Sequence, residues 1–180
     1  IRAYLNSIWI AAVSTVLTLL VGFPIAYGMA KAPDRWRPLL LMAVILPFWT
    51  SFLIRVYAWI GILRGEGYLN QFLALFGLPA TSFLNTDTGI VIGIVYSYLP
   101  FMILPLYSVM RTINPSYVRA ARSLGATSWT AFRRVYFPQT LPGLGAGALL
   151  VFILAVGYYI TPALVGGSSG QLISNMIAMH

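Results

Sequence analysis

Four long apolar runs alternate with polar joints along the chain: Ile8 to Ala30, Leu39 to Leu63, Gly89 to Met110 and Leu141 to Val165. Each is about 22 to 25 residues long, enough at 1.5 Å rise per residue to cross a bilayer core of about 30 Å. None contains a carboxylate, and Arg55 is the charge that interrupts the second run. In hydrocarbon every backbone N–H and C=O needs an internal partner, so such runs must be helices. The pattern predicts an all-α fold, a polytopic membrane bundle with four transmembrane helices.

The joints carry shorter periodicities. Leu69, Phe72, Leu73 and Phe76 recur at helical spacing and are closed by Gly77. They predict a short amphipathic helix, either lying on the membrane or forming part of an external gate or docking surface. The stretch 111–140 is better specified. Asn114 is a good N-cap with Pro115 at the first helical position. Tyr117, Ala120, Ala121 and Leu124 then form an apolar face, and Gly125 suits a left-handed C-cap. Thr127 or Ser128 caps a second helix, whose apolar face is Trp129, Phe132 and Tyr136. Pro138 and Pro142 are expected to stop that helix before the last run.

Charge orients the runs. The joint Lys31 to Pro38 holds three basic residues, and 111–140 holds five: Arg111, Arg119, Arg122, Arg133 and Arg134. The joint Arg64 to Thr88 holds Arg64 with Glu66 and Asp87. The excess of basic residues in cytoplasmic loops places the first two joints inside and the third outside. Gly143 and Gly147 have the small-xxx-small spacing of closely packed spans.

Composition then closes off other chemistries. The 180 residues are 59% hydrophobic and 8% charged, against about a quarter charged in soluble domains. Three carboxylates, no Cys and one His, the terminal His180, leave no catalytic residues and no metal ligands to nominate. The net charge of +8 reports basic cytoplasmic loops rather than nucleic-acid binding. A DNA-reading helix-turn-helix at Ala120 to Arg134 is ruled out by the membrane runs that begin within about ten residues on both sides.

The 111–140 stretch resembles the "EAA" loop of bacterial ABC-importer permeases. That pattern is Glu-Ala-Ala, three residues, Gly, nine residues, then Ile-x-Leu-Pro. Ala120, Ala121, Gly125 and Pro138 match it, Val135 and Phe137 are conservative replacements, and Arg119 stands where the family has Glu. The segments Leu53 to Trp59, Gly67 to Asn70, Tyr98 to Tyr107 and Leu164 to Gly167 are similar to the spermidine and putrescine branch. The resemblance covers essentially the whole chain, so 1–180 reads as one permease domain. It implies that these runs are the second to fifth of six spans, the domain being incomplete at both ends.

The resemblance also implies the mechanism. The chain would be a multi-pass subunit of the bacterial inner membrane, importing a polyamine or related small cation. It would act with a second permease subunit, cytosolic ATPase subunits that bind ATP and Mg, and an external solute-binding protein. The 111–140 loop would be the coupling element, with Arg119, Ala120, Ala121, Gly125, Val135 and Pro138 as its motif residues. The chain itself would be no enzyme and would bind no cofactor, and it has no Walker Gly-Lys-Ser/Thr signature. An ion- or proton-coupled secondary transporter is the alternative, but it would ordinarily place ionisable groups within its spans.

Pathway candidates come from polarity inside the runs. Arg55 is either a structural ion-pair or dipole partner or a pathway residue. Tyr158, Tyr159 and Thr161 either line the pathway, where aromatic faces attract a cation, or belong to the interfacial aromatic belt.

Overall fold

A computed structural model describes residues 2–50, 52–63 and 86–157, and every regular element among them is helical. The helices are α1 (Arg2–Lys31), α2 (Arg37–Trp49), α3 (Phe52–Leu63), α4 (Asp87–Thr112), α5 (Pro115–Ser123) and α6 (Ser128–Ala131). A π-helical turn, Phe132–Tyr136, leads directly into α7 (Phe137–Val156). Three stretches are long and apolar enough to cross a membrane: Leu5–Lys31, Asp87–Thr112 and Ser128–Val156. The first two match the first and third predicted runs, and the last overlaps the fourth from Leu141 to Val156 but begins earlier, at Ser128.

The second run departs from its prediction. It is two helices of 13 and 12 residues, and neither reaches across about 30 Å alone. Pro47 lacks the N–H that would continue the ladder of α2. Thr50 then takes an extended backbone, φ −65° and ψ 145°, and its hydroxyl donates to the Pro47 carbonyl at 2.7 Å. Hydropathy is continuous through this break, so the apolar pattern alone concealed it.

The core lies where α1, α4 and α7 pack on one another. One cluster joins Ala26 and Met29 of α1 to Met102, Ile103, Leu106 and Met110 of α4, with Tyr136 and Val151. A second cluster joins Ile10, Ala11, Ile90, Ile94 and Ala155. Thr15 and Thr18 are also buried, and each hydroxyl donates to a carbonyl one turn back, Ala11 and Ser14 respectively, at 2.7 Å. That local bond lets a polar side chain enter the core without an unmet donor.

Close approach of α4 and α7 depends on glycine. A Cβ on Gly143 would stand 3.0 Å from the Pro105 carbonyl oxygen and from Val109. One on Gly147 would stand 3.0 Å from Met102 Sδ. The small-xxx-small pair therefore sits in the α4–α7 contact, as its spacing predicted. The Tyr98 hydroxyl adds a bond to the Leu154 carbonyl at 3.3 Å. Against this core α2 lays Leu40, Leu41 and Val44 but buries no residue fully. Trp59 of α3 meets Tyr96 of α4 edge-on at 5.2 Å.

Candidate functional site

The loop between α4 and α7 is organised by local chemistry. Asn114 has an extended backbone, and its side-chain oxygen accepts from the Ser116 N–H at 2.9 Å. Pro115 opens α5, where a missing N–H costs nothing. At the other end the Ala126 N–H reaches the Ala121 carbonyl at 3.1 Å, and the Gly125 N–H reaches Arg122 at 3.0 Å. This paired closure is a Schellman motif, and it needs a left-handed residue. Gly125 supplies it with φ +91°. Thr127, rather than Ser128, caps α6: its hydroxyl accepts from the Thr130 N–H at 3.2 Å.

The apolar face of α5 turns away from the bundle. Tyr117 is 54% exposed, Leu124 89% and Trp129, at the start of α6, 69%. Ala120 is exposed and Ala121 half-buried, and α5 buries no residue fully. Hydrophobic periodicity in a short helix normally marks the face that packs inward; here it marks an open surface.

The loop is tied to α1 by aromatic rings. Phe132 stacks on Trp129 at 5.8 Å and on Tyr136 at 5.7 Å. It also meets Tyr27 edge-on at 5.7 Å and Phe23 at 6.4 Å. Tyr27 in turn meets Tyr136 edge-on at 5.4 Å. Edge-to-face and offset arrangements at these separations are the favoured ones. Phe132 and Tyr136, two of the three residues predicted as the apolar face of the second helix, thus form a seam between the loop and the Lys31 end of α1, while Trp129 stacks on its open side.

The two prolines do not stop that helix. Ser128–Val156 is one continuous apolar stretch. The π-helical turn widens the backbone just before Pro138, with the Phe137 N–H reaching the Phe132 carbonyl. Pro138 falls in the first turn of α7, where its missing N–H is tolerated. The Gln139 amide donates to the Val135 carbonyl at 2.7 Å, satisfying an acceptor beside this irregularity. Single-turn π-bulges inside α-helices recur at functional sites.

The predicted motif residues accordingly share one structure. Arg119, Ala120 and Ala121 lie on α5, Gly125 at its closure, Val135 in the π-helical turn and Pro138 at the start of α7. Both basic joints come together at the same end of the bundle. There Lys31 and Arg37 border a cavity of about 660 Å³ with Arg111, Arg119 and Arg122. The sequence showed the basic residues but not that they converge. Arg55 falls within α3; its side chain lies outside what is described. Tyr158, Tyr159, Thr161, Glu66 and the 69–77 segment are also outside the described residues. Among the described residues no cluster of His, Cys, Asp or Glu is suited to a metal ion.

Comparison with known proteins gives the same architecture a family. Residues 3–179 match the family described as binding-protein-dependent transport system inner membrane component. The chain is 42% identical over 174 residues to the spermidine/putrescine transport system permease protein PotB of Haemophilus influenzae, covering 96% of this chain and 61% of that protein. The protein of the same name from Escherichia coli K12 is 42% identical over 178 residues, covering 98% and 65%. The molybdenum transport system permease protein ModB of Mycobacterium bovis is 31% identical, covering 92% and 62%. Among solved structures, a bacterial ABC transporter involved in alginate import has a similar fold, with TM-score 0.66 at 23% identity, covering 98% of this chain and 56% of that one. The chain thus spans about three fifths of the length of the polyamine-permease relatives, 61% and 65%. With a family match across nearly its whole length and those relatives at 42% identity, the chain belongs to the binding-protein-dependent transport system inner membrane components.

Proposed function

We propose that this chain forms part of the solute pathway of an ATP-driven importer and couples that pathway to cytosolic ATPase subunits. The observation that carries the reading is the exposed apolar surface of Tyr117, Leu124 and Trp129 on a basic loop. Such a surface on a rigidly closed helix suits a protein groove better than water. The aromatic seam through Phe132 gives the loop a mechanical connection to α1. Closure of the ATPase subunits around ATP and Mg would then shift the loop as a rigid body and bias a two-state bundle.

In this reading 111–140 is the coupling loop within a permease domain that extends over 1–180. Arg119, Ala120, Ala121, Gly125, Val135 and Pro138 are its motif residues. ATP hydrolysis belongs to the partner subunits, so the chain is a transport component rather than an enzyme. A second permease subunit completes the pathway, and an external binding protein delivers the solute. The proposed solute is a polyamine or a related small cation, on the strength of the 42% identity to the spermidine/putrescine permeases. Arg55, Tyr158, Tyr159 and Thr161 are the proposed pathway positions. Replacing Tyr158 and Tyr159 by Leu is expected to slow uptake while leaving the binding protein's affinity unchanged.

Reconstitution tests the whole. The full-length permease, its ATPase subunits and its binding protein are placed in proteoliposomes with labelled spermidine outside. Uptake is expected only with ATP and Mg inside. Uptake driven by an ion or proton gradient without ATP would favour a coupled secondary transporter instead.

A further inference from the structure

The cavity at the inner end of the bundle gathers cations from four separate elements or joints. Lys31 ends α1, Arg37 begins α2, Arg111 lies in the last turn of α4, and Arg119 and Arg122 lie on α5. No carboxylate lines it among the described residues. The nearby Asp34 pairs with Arg37 but does not line the cavity, and it is itself largely exposed. Arg37 is only partly neutralised: one terminal nitrogen meets Asp34, another the Ala30 carbonyl at 3.3 Å, and its Nε is buried with no hydrogen-bond partner. Lys31 is held over the Tyr27 ring, 4.3 Å from its centre.

A general excess of basic residues in inner loops explains their number but not their convergence. Like charges brought around one space repel one another, weakly where water screens them, and an anion placed among them relieves that repulsion. The cavity floor is apolar, built from Met110, Ile113, Val118, Phe132 and Tyr136. Its lining residues Lys31 and Arg111 lie at the ends of helices long and apolar enough to cross a membrane, where lipid headgroups are expected. An amphiphile with a phosphate matches both surfaces, whereas a free anion would leave the apolar floor unused.

We propose that this cavity binds the phosphate headgroup of an anionic phospholipid from the cytoplasmic leaflet. Basic pockets between helices on the cytoplasmic side suit such headgroups. The lipid's phosphate accepts from Arg37, Arg111 and the α5 arginines, and its glycerol region rests on Met110 and Tyr136. Because the cations come from both basic joints, a bound headgroup bridges the loop to the ends of α1 and α2. Arg119, standing where related loops carry Glu, adds a cation in place of an anion at the rim.

The test is a binding measurement that does not depend on transport. The full-length permease in neutral detergent is titrated with phosphatidylglycerol, with phosphatidylcholine as the uncharged comparison and inorganic phosphate as competitor. Each cation removed is expected to weaken phosphatidylglycerol binding about fivefold, so Arg111→Gln with Arg122→Gln raises the dissociation constant roughly 25-fold. Arg133→Gln with Arg134→Gln, basic residues of the same loop outside the cavity, should leave it within about twofold. Arg122→Gln, on a helix that buries no residue fully, should give the fivefold loss even if the double variant fails to fold. Equal loss in the Arg133/Arg134 variant would reduce the effect to diffuse surface attraction. Equal binding of phosphatidylcholine, or displacement by inorganic phosphate at matching concentration, would remove the phospholipid. Displacement by added ATPase subunits would assign the cavity to their interface.

Discussion

Gly125 combines a φ of +91° with open space: no heavy atom lies within 4 Å of where a Cβ would stand. A substitution there meets backbone strain alone, not a clash. Gly125→Val is expected to cost about 1–3 kcal/mol, charged to the loop's shape while the apolar runs still insert. Gly125→Asn should cost less, since Asn tolerates positive φ best among the other residues. Measured on the purified complex, Val should weaken ATPase retention or solute-stimulated hydrolysis, and Asn should restore part of it. Normal values for Val would take this loop out of coupling. Gly125, Asn114 and Pro115 were readable in the sequence because each does its work through its own backbone preference. Arg119 was visible as a departure from the family pattern, yet nothing local showed that its side chain would border a cavity with Lys31, about ninety residues earlier.

Among the elements, those that follow from a single apolar run were predicted well, and those that depend on backbone irregularity were not. The cores of α1, α4 and α7 lie within runs seen directly in the pattern. The break between α2 and α3 lies inside continuous apolar sequence, and its sign, Pro47, also occurs as Pro24 and Pro100 inside unbroken helices. The π-helical turn was hidden for a related reason: Pro138 looked like a stop, but one widened turn lets the helix continue. That turn carries Phe132, so the seam to α1 tests its role. Each ring pair contributes about 0.5–1.5 kcal/mol beyond its buried area. Phe132→Ala should leave ATPase binding intact and lower stimulated hydrolysis, whereas Phe132→Tyr should keep most of it. Loss of ATPase binding in both variants would make the seam a folding element only. The α4–α7 contact gives a stability test. Gly143→Val pushes into the Pro105 carbonyl and Val109, overpacking by about 1–3 kcal/mol. Gly145→Ala, with nothing within 4 Å, should be neutral. Thermal unfolding in detergent should separate the two; equal midpoints would mean α7 does not pack on α4 through this face.

At the scale of the whole molecule, orientation decides whether the loop can reach its proposed partners. The coupling role requires α5 and α6 to face the cytosol, and the basic joints supply an independent reason: Lys31, Arg35 and Arg37 in one, and five arginines in the other. The fold brings Lys31 and Arg37 to the same end as Arg111, Arg119 and Arg122, as an odd number of membrane crossings cannot do. An even number of crossings between those joints, of which α4 is one, returns the chain to its starting side. The chain has no Cys, which makes a single introduced thiol a clean reporter. Ser123 and Ser128 are exposed on the loop, and Thr88 is exposed at the opposite end of α4. In intact cells a membrane-impermeant maleimide is expected to label Thr88→Cys and to spare Ser123→Cys and Ser128→Cys until the membrane is permeabilised. Labelling of Ser123→Cys and Ser128→Cys from outside would invert the orientation. The exposed Tyr117, Leu124 and Trp129 would then face the external binding protein, and a cytosolic ATPase would have no access to them.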